Sequence, residues 1–305
     1  MTTGDALPLP GMLRPVAPDE LLVIAGETAS GKTALAVKLS QAHDGEIIGA
    51  DSVQVYRRFD IGSGKPTARE LCGVRHHLID VADPLEPFDA GRFVELADAA
   101  IADVRARGRI PIVCGGTFLW IKALSSGLAA APSAPPELRA ALQEEARTLG
   151  SPALHARLST LDPTTAARLH QNDAVRIVRA LEVHATTGRP LSAWQAEHGF
   201  ATERHRVRIV ALRLPREELE ARIARRVDDM LARGLVDEVR ALLDAGLGEA
   251  RAMNAVGYAE VKAHLRGEID GASLAPKITR ATRIFARRQR TWLKSANVEW
   301  ITPAE

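Results

Sequence analysis

Apolar positions along the chain follow two rhythms. Short continuous runs, LLVIA at 21–25, EIIGAD at 46–51, RIPIVCGG at 109–116 and RIVALRL at 208–214, carry β-branched side chains and stop at glycine, aspartate or proline. They are too short for buried helices and read as strands, with HHLIDV near 76–81 as another. Between them the spacing becomes helical: after LLVIAG through Ala42, from about Gly91 to Ala106, and over most of the chain beyond residue 214. Wholly apolar strands alternating with helices predict an α/β fold with a parallel sheet covered on both faces. From 128 to 203 the strand rhythm is absent. The proline-rich APSAPPE opens this stretch and helical periodicity runs to TTGRP at 186–190, so an inserted all-helical domain is expected. The predicted organisation is a core of residues 20–127 plus 204–305, interrupted by the 128–203 insertion. Pro8, Pro10, Pro15 and Pro18 disfavour helix and sheet over residues 1–19, which are expected to form a flexible tail. No repeat of fixed period occurs, which argues against a solenoid.

Composition narrows the class. With 305 residues, 46% apolar and 26% charged, the chain lies far from the regime of disorder and can bury a large core. A net charge of +2 gives no global argument for a nucleic-acid partner, so local clusters must decide. Cys72 and Cys114 are the only cysteines, too few for a disulfide scaffold and without metal-site spacing. No apolar run reaches the ~18 residues that would span a bilayer. A soluble, cytoplasmic protein with no membrane partner is expected.

GETASGKT, Gly26 to Thr33, fits GxxxxGK[ST] and sits directly between a strand and a helix. Glycines let such a loop curl with its amides inward, Lys32 adds charge at the terminal phosphates, and the helix N-terminus favours the anion. Gly26, Thr28, Ala29, Ser30, Gly31, Lys32 and Thr33 are therefore candidate diphosphate ligands, with the Thr33 hydroxyl a candidate ligand for Mg²⁺. The predicted architecture is P-loop NTPase-like. The loop alone does not distinguish ATP, GTP or a prenyl diphosphate. Asp51 and Ser52 end the second strand, on the carboxyl edge where open α/β sheets bind ligands. Asp51 can hold a metal through water, accept a proton from a nucleophile, or cap the next segment. Thr117, after two glycines in CGGT, lies on the same edge, either to meet substrate or to cap a helix.

Two arginine groups stand out. Arg222 and Arg226, four apart, share a helix face and can clamp diphosphate charge, or pair with Glu218 or Asp229. In TRATRIFARRQRTWLK, residues 279–294, six basic residues occur without an acidic one. Arg280, Arg283, Arg287, Arg290 and Lys294 form one helical stripe, opposed by Ala281, Ile284, Phe285 and Trp292. Such a stripe reads as a track for phosphate backbone rather than an ordinary solvated face. Arg288 falls on the apolar side and needs a carboxylate, phosphate or backbone partner if buried.

Taken together, GETASGKT, ADSVQVYRRFDIGSGKP at 50–66, HHLID, CGGTFLW, HQNDAVRIVRALEVHATTGRPLS, RVDDMLARGLVDEV, AVGYAE and ATRIFARRQRTW resemble the motifs of the tRNA dimethylallyltransferases, in that family's order, over residues 20–302. The resemblance implies transfer of a dimethylallyl group from dimethylallyl diphosphate, with Mg²⁺, to N6 of the adenosine immediately 3′ of the anticodon of a tRNA. It implies Asp51 as the base, with Lys32, Thr117 and Arg222 also catalytic and Arg226 on the diphosphate. Asp51, Ser52, Val53, Gln54 and Thr117 would meet the target nucleotide. Arg139, Arg176 and Arg179 of the insertion, with Arg280, Arg283, Arg287 and Arg288, would hold the anticodon stem-loop. A monomer is expected. The chain departs from the family at Glu27, where proline is usual, at Phe118-Leu119-Trp120 in place of Gly-Leu-Tyr, and at Ala259 in place of lysine. A carboxylate at 27 beside a diphosphate is repulsive unless it points away or meets an arginine.

Three rival readings make separate predictions. An ATP-dependent small-molecule kinase would turn over ATP and leaves the basic stripe and the insertion unexplained. A prenyltransferase for free adenylate would have no need of a large helical insertion. A non-catalytic, GTPase-like RNA-binding module would have no need of a carboxylate beside the phosphate loop at position 51.

Overall fold

The computed structural model describes residues 16–17, 19–129, 131–198 and 203–302. Most of the predicted N-terminal tail, residues 1–15 and 18, lies outside the described residues; Val16 packs against the edge of the core. The described residues form two compact units, one within Met1–Ser125 and His205–Glu305, the other within Ser126–Arg204.

The first unit opens with β1 (Glu20–Ala25), α1 (Lys32–Ala42), β2 (Gly45–Ala50), the single turn α2 (Ala68–Leu71), the two-residue β3 (His76–His77) and α3 (Ala90–Ala106). It continues through β4 (Ile110–Gly115) and α4 (Phe118–Ser126). The second unit holds α5 (Pro136–Leu149), α6 (Ser151–Leu161), α7 (Pro163–Ala166), α8 (Ala174–Thr187) and α9 (Leu191–His198). The chain then returns through β5 (Arg206–Leu212), α10 (Arg216–Ala232), α11 (Leu235–Asp244), α12 (Tyr258–Leu265), the long α13 (Gly271–Ser295) and β6 (Val298–Ile301).

The six strands form one sheet in the order β3-β2-β4-β1-β5-β6, all parallel. Continuous apolar strands require cover on both faces. On one face Leu22, Ile24, Ile47, Ile112, Val210 and Leu212 pack against Leu35, Ala36 and Leu39 of α1. Val23, Ile48 and Val113, which point the other way, are equally buried. Each fully buried aliphatic side chain contributes about 1.5–3 kcal/mol, so the register is firmly set. That register decides the site. Ala25 lies opposite Gly115, and Gly115 opposite Ala50, so the loops that leave β1, β4 and β2 emerge side by side. Gly115 allows this closeness, because a Cβ there would fall 2.1 Å from the Ala50 carbonyl oxygen.

Two elements differ from the pattern reading. HHLIDV pairs only at His76–His77, because Leu78 and Asp80 take positive φ and turn the chain away from the sheet. The edge strand β6, VEWI, was hidden in a segment that reads as helical throughout, and it is too short and too exposed for a clear rhythm. The second unit has its own core of Leu142, Leu154, Leu158, Ile177, Val178 and Leu181. It contains helices and no strand among its described residues. Among the described residues no helix is long and apolar enough to cross a membrane.

Candidate active site and relatives

The three aligned loops line one cavity of about 510 Å³. Thr28, Lys32, Thr33, Asp51, Ser52, Val53, Gln54, Thr117 and Arg226 all border it, together with Arg288. A second cavity, about 780 Å³, shares Lys32, Thr33, Gly64, Pro66, Arg226 and Met230 with the first. Its further lining includes Ala29, Gly31, Lys38, Arg222, Arg225 and Arg233, opposed by Glu70 and Asp229. The phosphate loop thus has a mixed apolar and polar space on one side and a strongly cationic one on the other.

Within the loop Ala29 and Gly31 take positive φ, and Gly31 begins α1 without a side-chain cap, leaving the helix N-terminus open to an anion. Ser30 is buried, and its hydroxyl has no hydrogen-bond partner. It borders neither cavity, so this predicted ligand faces the inside of the loop. Burial lowers the Lys32 ammonium below the ordinary lysine value, and the Asp51 carboxylate opposes that shift. Arg226 is held below its usual value by burial first, again opposed by Asp51, though a guanidinium stays cationic. Two desolvated cations sharing one nearby carboxylate form a site that gains from receiving an anion.

The two carboxylate oxygens of Asp51 differ in their partners. Its Oδ1 accepts the amides of Val53 (2.9 Å) and Gln54 (3.2 Å), so the capping alternative is realised, while its other oxygen accepts no hydrogen bond among the described residues. Thr117 Oγ1 accepts the Ser52 amide at 3.0 Å, which ties the β4 loop to the β2 loop instead of capping α4. Thr33 and Asp51 border the same cavity, and two side-chain oxygens are a donor set of the kind Mg²⁺ takes beside phosphate oxygens and water. Among the described residues no group of three or more His, Cys, Asp or Glu able to hold a metal occurs.

Arg222 lines the cationic cavity and also pairs with Glu218 at 2.7 Å, one of the two pairings open in the sequence. In the helical unit Arg139 is held bidentately by buried Glu182 (2.7 and 3.1 Å). There Arg179 donates to the carbonyls of Ala131 and Pro132, and Arg176 pairs with Asp173.

The basic stripe needs two corrections. The buried face of α13 runs through Leu274, Ile278, Thr282, Ala286, Gln289 and Leu293, not Ala281, Ile284, Phe285 and Trp292. Arg288 is consequently exposed at the mouth of the main cavity. Nor is the stripe free of counter-charge: Arg283 lies 3.9 Å from Glu220, and Arg290 binds Glu27 through both carboxylate oxygens at 2.9 and 3.3 Å. Arg280 and Arg287 have no ion pair among the described residues, and with Arg216, Arg283 and Arg290 they border a third cavity of about 460 Å³. Glu27 therefore meets an arginine, one of the two alternatives that its place in the phosphate loop left open. Of the other departures, Phe118 and Trp120 pack inward: Phe118 stacks on Trp292 at 4.2 Å and Trp120 on Phe93 at 4.7 Å.

Gln289 escaped the sequence reading. Buried on α13, it accepts the Thr28 amide (2.8 Å) and donates to the Gly116 carbonyl (3.1 Å), joining the phosphate loop to the β4 loop. An amide among arginines gives no signal until its partners, 261 and 173 residues away, are known.

The IPP transferase family model matches residues 54–296. A tRNA dimethylallyltransferase of Sorangium cellulosum (strain So ce56) is 55% identical over 289 residues, 95% of this chain and 92% of that protein. Another, from Anaeromyxobacter dehalogenans (strain 2CP-C), is 52% identical over 93% of this chain and 95% of that one. Among solved structures, the tRNA isopentenylpyrophosphate transferase of Bacillus halodurans matches with a TM-score of 0.69 at 37% identity, covering 93% of this chain and 90% of that one. A eukaryotic dimethylallyltransferase acting on tRNA gives 0.79 at 27% identity, over 94% and 74%. A phosphate loop on a parallel sheet, a carboxylate beside it, and a family match over most of the chain agree: this protein belongs to the IPP transferase family.

Proposed function

We infer that the chain transfers a dimethylallyl group from dimethylallyl diphosphate to N6 of the adenosine immediately 3′ of a tRNA anticodon. The observation that carries this reading is Asp51, with one carboxylate oxygen uncommitted, in the same cavity as Lys32, Thr33 and Arg226. A kinase acting on small molecules also places a carboxylate there, but relatives that match nearly the whole chain are named for prenyl transfer to tRNA.

The adenine amine is a weak nucleophile because its lone pair is delocalised into the ring. In the proposed step N6 attacks the allylic carbon, a C–N bond forms, and the C–O bond to diphosphate breaks with its electrons leaving on oxygen. Asp51 takes the N6 proton. Lys32, Arg226 and the loop amides receive the charge that builds on diphosphate, an arrangement that stabilises the transition state more than the ground state. Arg222 adds to that field from the cationic cavity. Mg²⁺ would be held by Thr33 with Asp51 nearby, where it would supply further neutralisation of diphosphate charge. Thr117 and Ser52–Gln54 border the space for the base, which must leave its stack to reach Asp51. The cationic cavity on the far side of the loop suits the diphosphate, so donor and acceptor meet at Lys32 and Arg226.

The helical unit is proposed to contact the anticodon stem-loop, through Arg176 and the exposed parts of Arg139 and Arg179. Arg280, Arg283, Arg287 and Arg288 are proposed contacts on the first unit. The test is transfer of labelled dimethylallyl to an anticodon stem-loop, with AMP as a parallel acceptor and ATP turnover followed alongside. Label in the stem-loop supports the reading; label in AMP alone makes this a free-nucleotide enzyme, and ATP turnover without transfer makes it a kinase.

A further inference from the structure

Two sequence motifs, GLVDEV at 234–239 and AVGYAE at 255–260, contribute no reacting group to the cavity, yet they converge on one turn. Glu238 of α11 accepts the amides of Ile61 (2.7 Å) and Gly62 (3.2 Å). The Tyr258 hydroxyl, at the start of α12, donates to Glu238 (2.7 Å) and accepts the Ser63 amide (3.1 Å). Three successive amides are thus held by one carboxylate and one phenol. The carbonyl side of the same turn is held from within the cavity: Gln54 Nε2 donates to the carbonyls of Ser63 and Gly64, each at 3.1 Å.

The turn is also gripped sterically. A Cβ on Gly62 would lie 2.5 Å from the Tyr258 ring, and one on Gly64 only 1.9 Å from an Arg226 guanidinium nitrogen. The ring and the guanidinium therefore press directly on the turn from either end. Burial raises the Tyr258 hydroxyl above the usual tyrosine range, with Glu238 adding to the shift, so the phenol stays a donor throughout the working pH range. The neighbouring backbone is fixed independently by buried Lys65, which bonds the Tyr56 carbonyl and Asp60 at 2.7 Å each.

We propose that Glu238 and Tyr258 are positioning residues that use the 61–64 turn to set Gln54 on the acceptor side and Arg226 on the diphosphate side of the cavity. The proposal deepens the prenyl-transfer reading and rests on it for the acceptor side alone; the diphosphate side needs only the phosphate loop. Tyr258→Phe keeps the ring and its edge contact with Phe59 (5.0 Å between centroids), so the fold is retained while the Ser63 and Glu238 bonds are lost. Small misplacements of binding groups can cost large factors in rate, and a loss of about 5–20-fold in kcat is expected here.

The test is a pair of double-mutant cycles on the full chain. Binding of inorganic diphosphate, followed by calorimetry, should weaken about fivefold in Tyr258→Phe and Glu238→Gln, and by less than twofold when either is added to Arg226→Met. Transfer to the stem-loop should lose kcat in Tyr258→Phe, and lose little more when Tyr258→Phe is added to Gln54→Ala. Equal factors in the parent and variant backgrounds, or unchanged diphosphate binding and kcat, overturn the proposal. A wild-type chain that binds diphosphate but transfers no label contradicts the functional reading, and the diphosphate cycle then still decides the role of Tyr258 and Glu238.

Discussion

Removing the Arg290 side chain isolates the effect of the carboxylate that this chain carries in its phosphate loop. Glu27 is 5% exposed and both of its oxygens are bound by Arg290, whose side chain is 32% exposed. Breaking a fully buried pair from one side costs about 3–5 kcal/mol; discounted for the partial exposure of Arg290, Arg290→Ala should destabilise by about 1–3 kcal/mol. For a chain of this size that lowers Tm by roughly 2–5 °C. The kinetic effect is more specific. Two unit charges at an assumed separation of about 10 Å and an effective dielectric of about 20–40 repel by about 1–2 kcal/mol, which sets the scale for an unneutralised carboxylate in the loop acting on a diphosphate. The donor KM should then rise about 5–30-fold, with kcat changed far less. Steady-state transfer with the donor titrated at saturating stem-loop, well below the variant's Tm, measures this directly. Adding Glu27→Gln to Arg290→Ala removes the charge and should restore the donor KM to within about threefold of wild type. An unchanged donor KM in Arg290→Ala, or no recovery in the double variant, would show that Arg290 does not screen Glu27 from the donor.

Three further outcomes follow from the same structure. Hydrogen bonds from Arg107, aided by His77 and Arg109, hold the buried Glu46 carboxyl down to about 2 against an ordinary 4.5; a depressed carboxyl stabilises above its unfolded pKa, so about 3 kcal/mol should be lost as pH falls from about 5 towards 2, and Glu46→Gln should flatten that limb of the denaturation curve. Arg280→Ala and Arg287→Ala should each weaken stem-loop binding and reduce the slope of log affinity against log salt by about one, leaving the donor KM alone. Thr33→Val should raise the Mg²⁺ concentration for half-maximal transfer about tenfold, and chelation of the metal should stop transfer in wild type.

The parts of this protein legible in its sequence are those set by local pattern. Continuous apolar runs gave β1, β2, β4 and β5, and the offset of Gly, Lys and Thr marked the phosphate loop, because strand burial and loop curvature depend on neighbours in the chain. The placement of Asp51 and Thr117 at the strand ends followed from the rule that ligands collect there. What stayed hidden depends on partners far apart in the chain. Glu27 and Arg290 are 263 residues apart, so the stripe on α13 looked uncompensated when two of its arginines have acidic partners. Gln289 and the Glu238–Tyr258 clamp act through main-chain groups of distant loops, which leave no mark on composition or spacing. Arg288 was placed on the wrong face because the buried stripe of α13 includes the polar Thr282 and Gln289.

On the proposed mechanism Asp51 removes the N6 proton while its neighbours hold the diphosphate. Single-turnover transfer of labelled dimethylallyl to the anticodon stem-loop, measured for wild type, Asp51→Asn and Asp51→Ala with both substrates saturating, tests it most directly. With Asp51 as the base, both variants should lose about 10²–10⁴-fold in the transfer rate while binding donor and stem-loop within a few-fold of wild type. A loss below tenfold, or one accounted for by weakened binding alone, would contradict it.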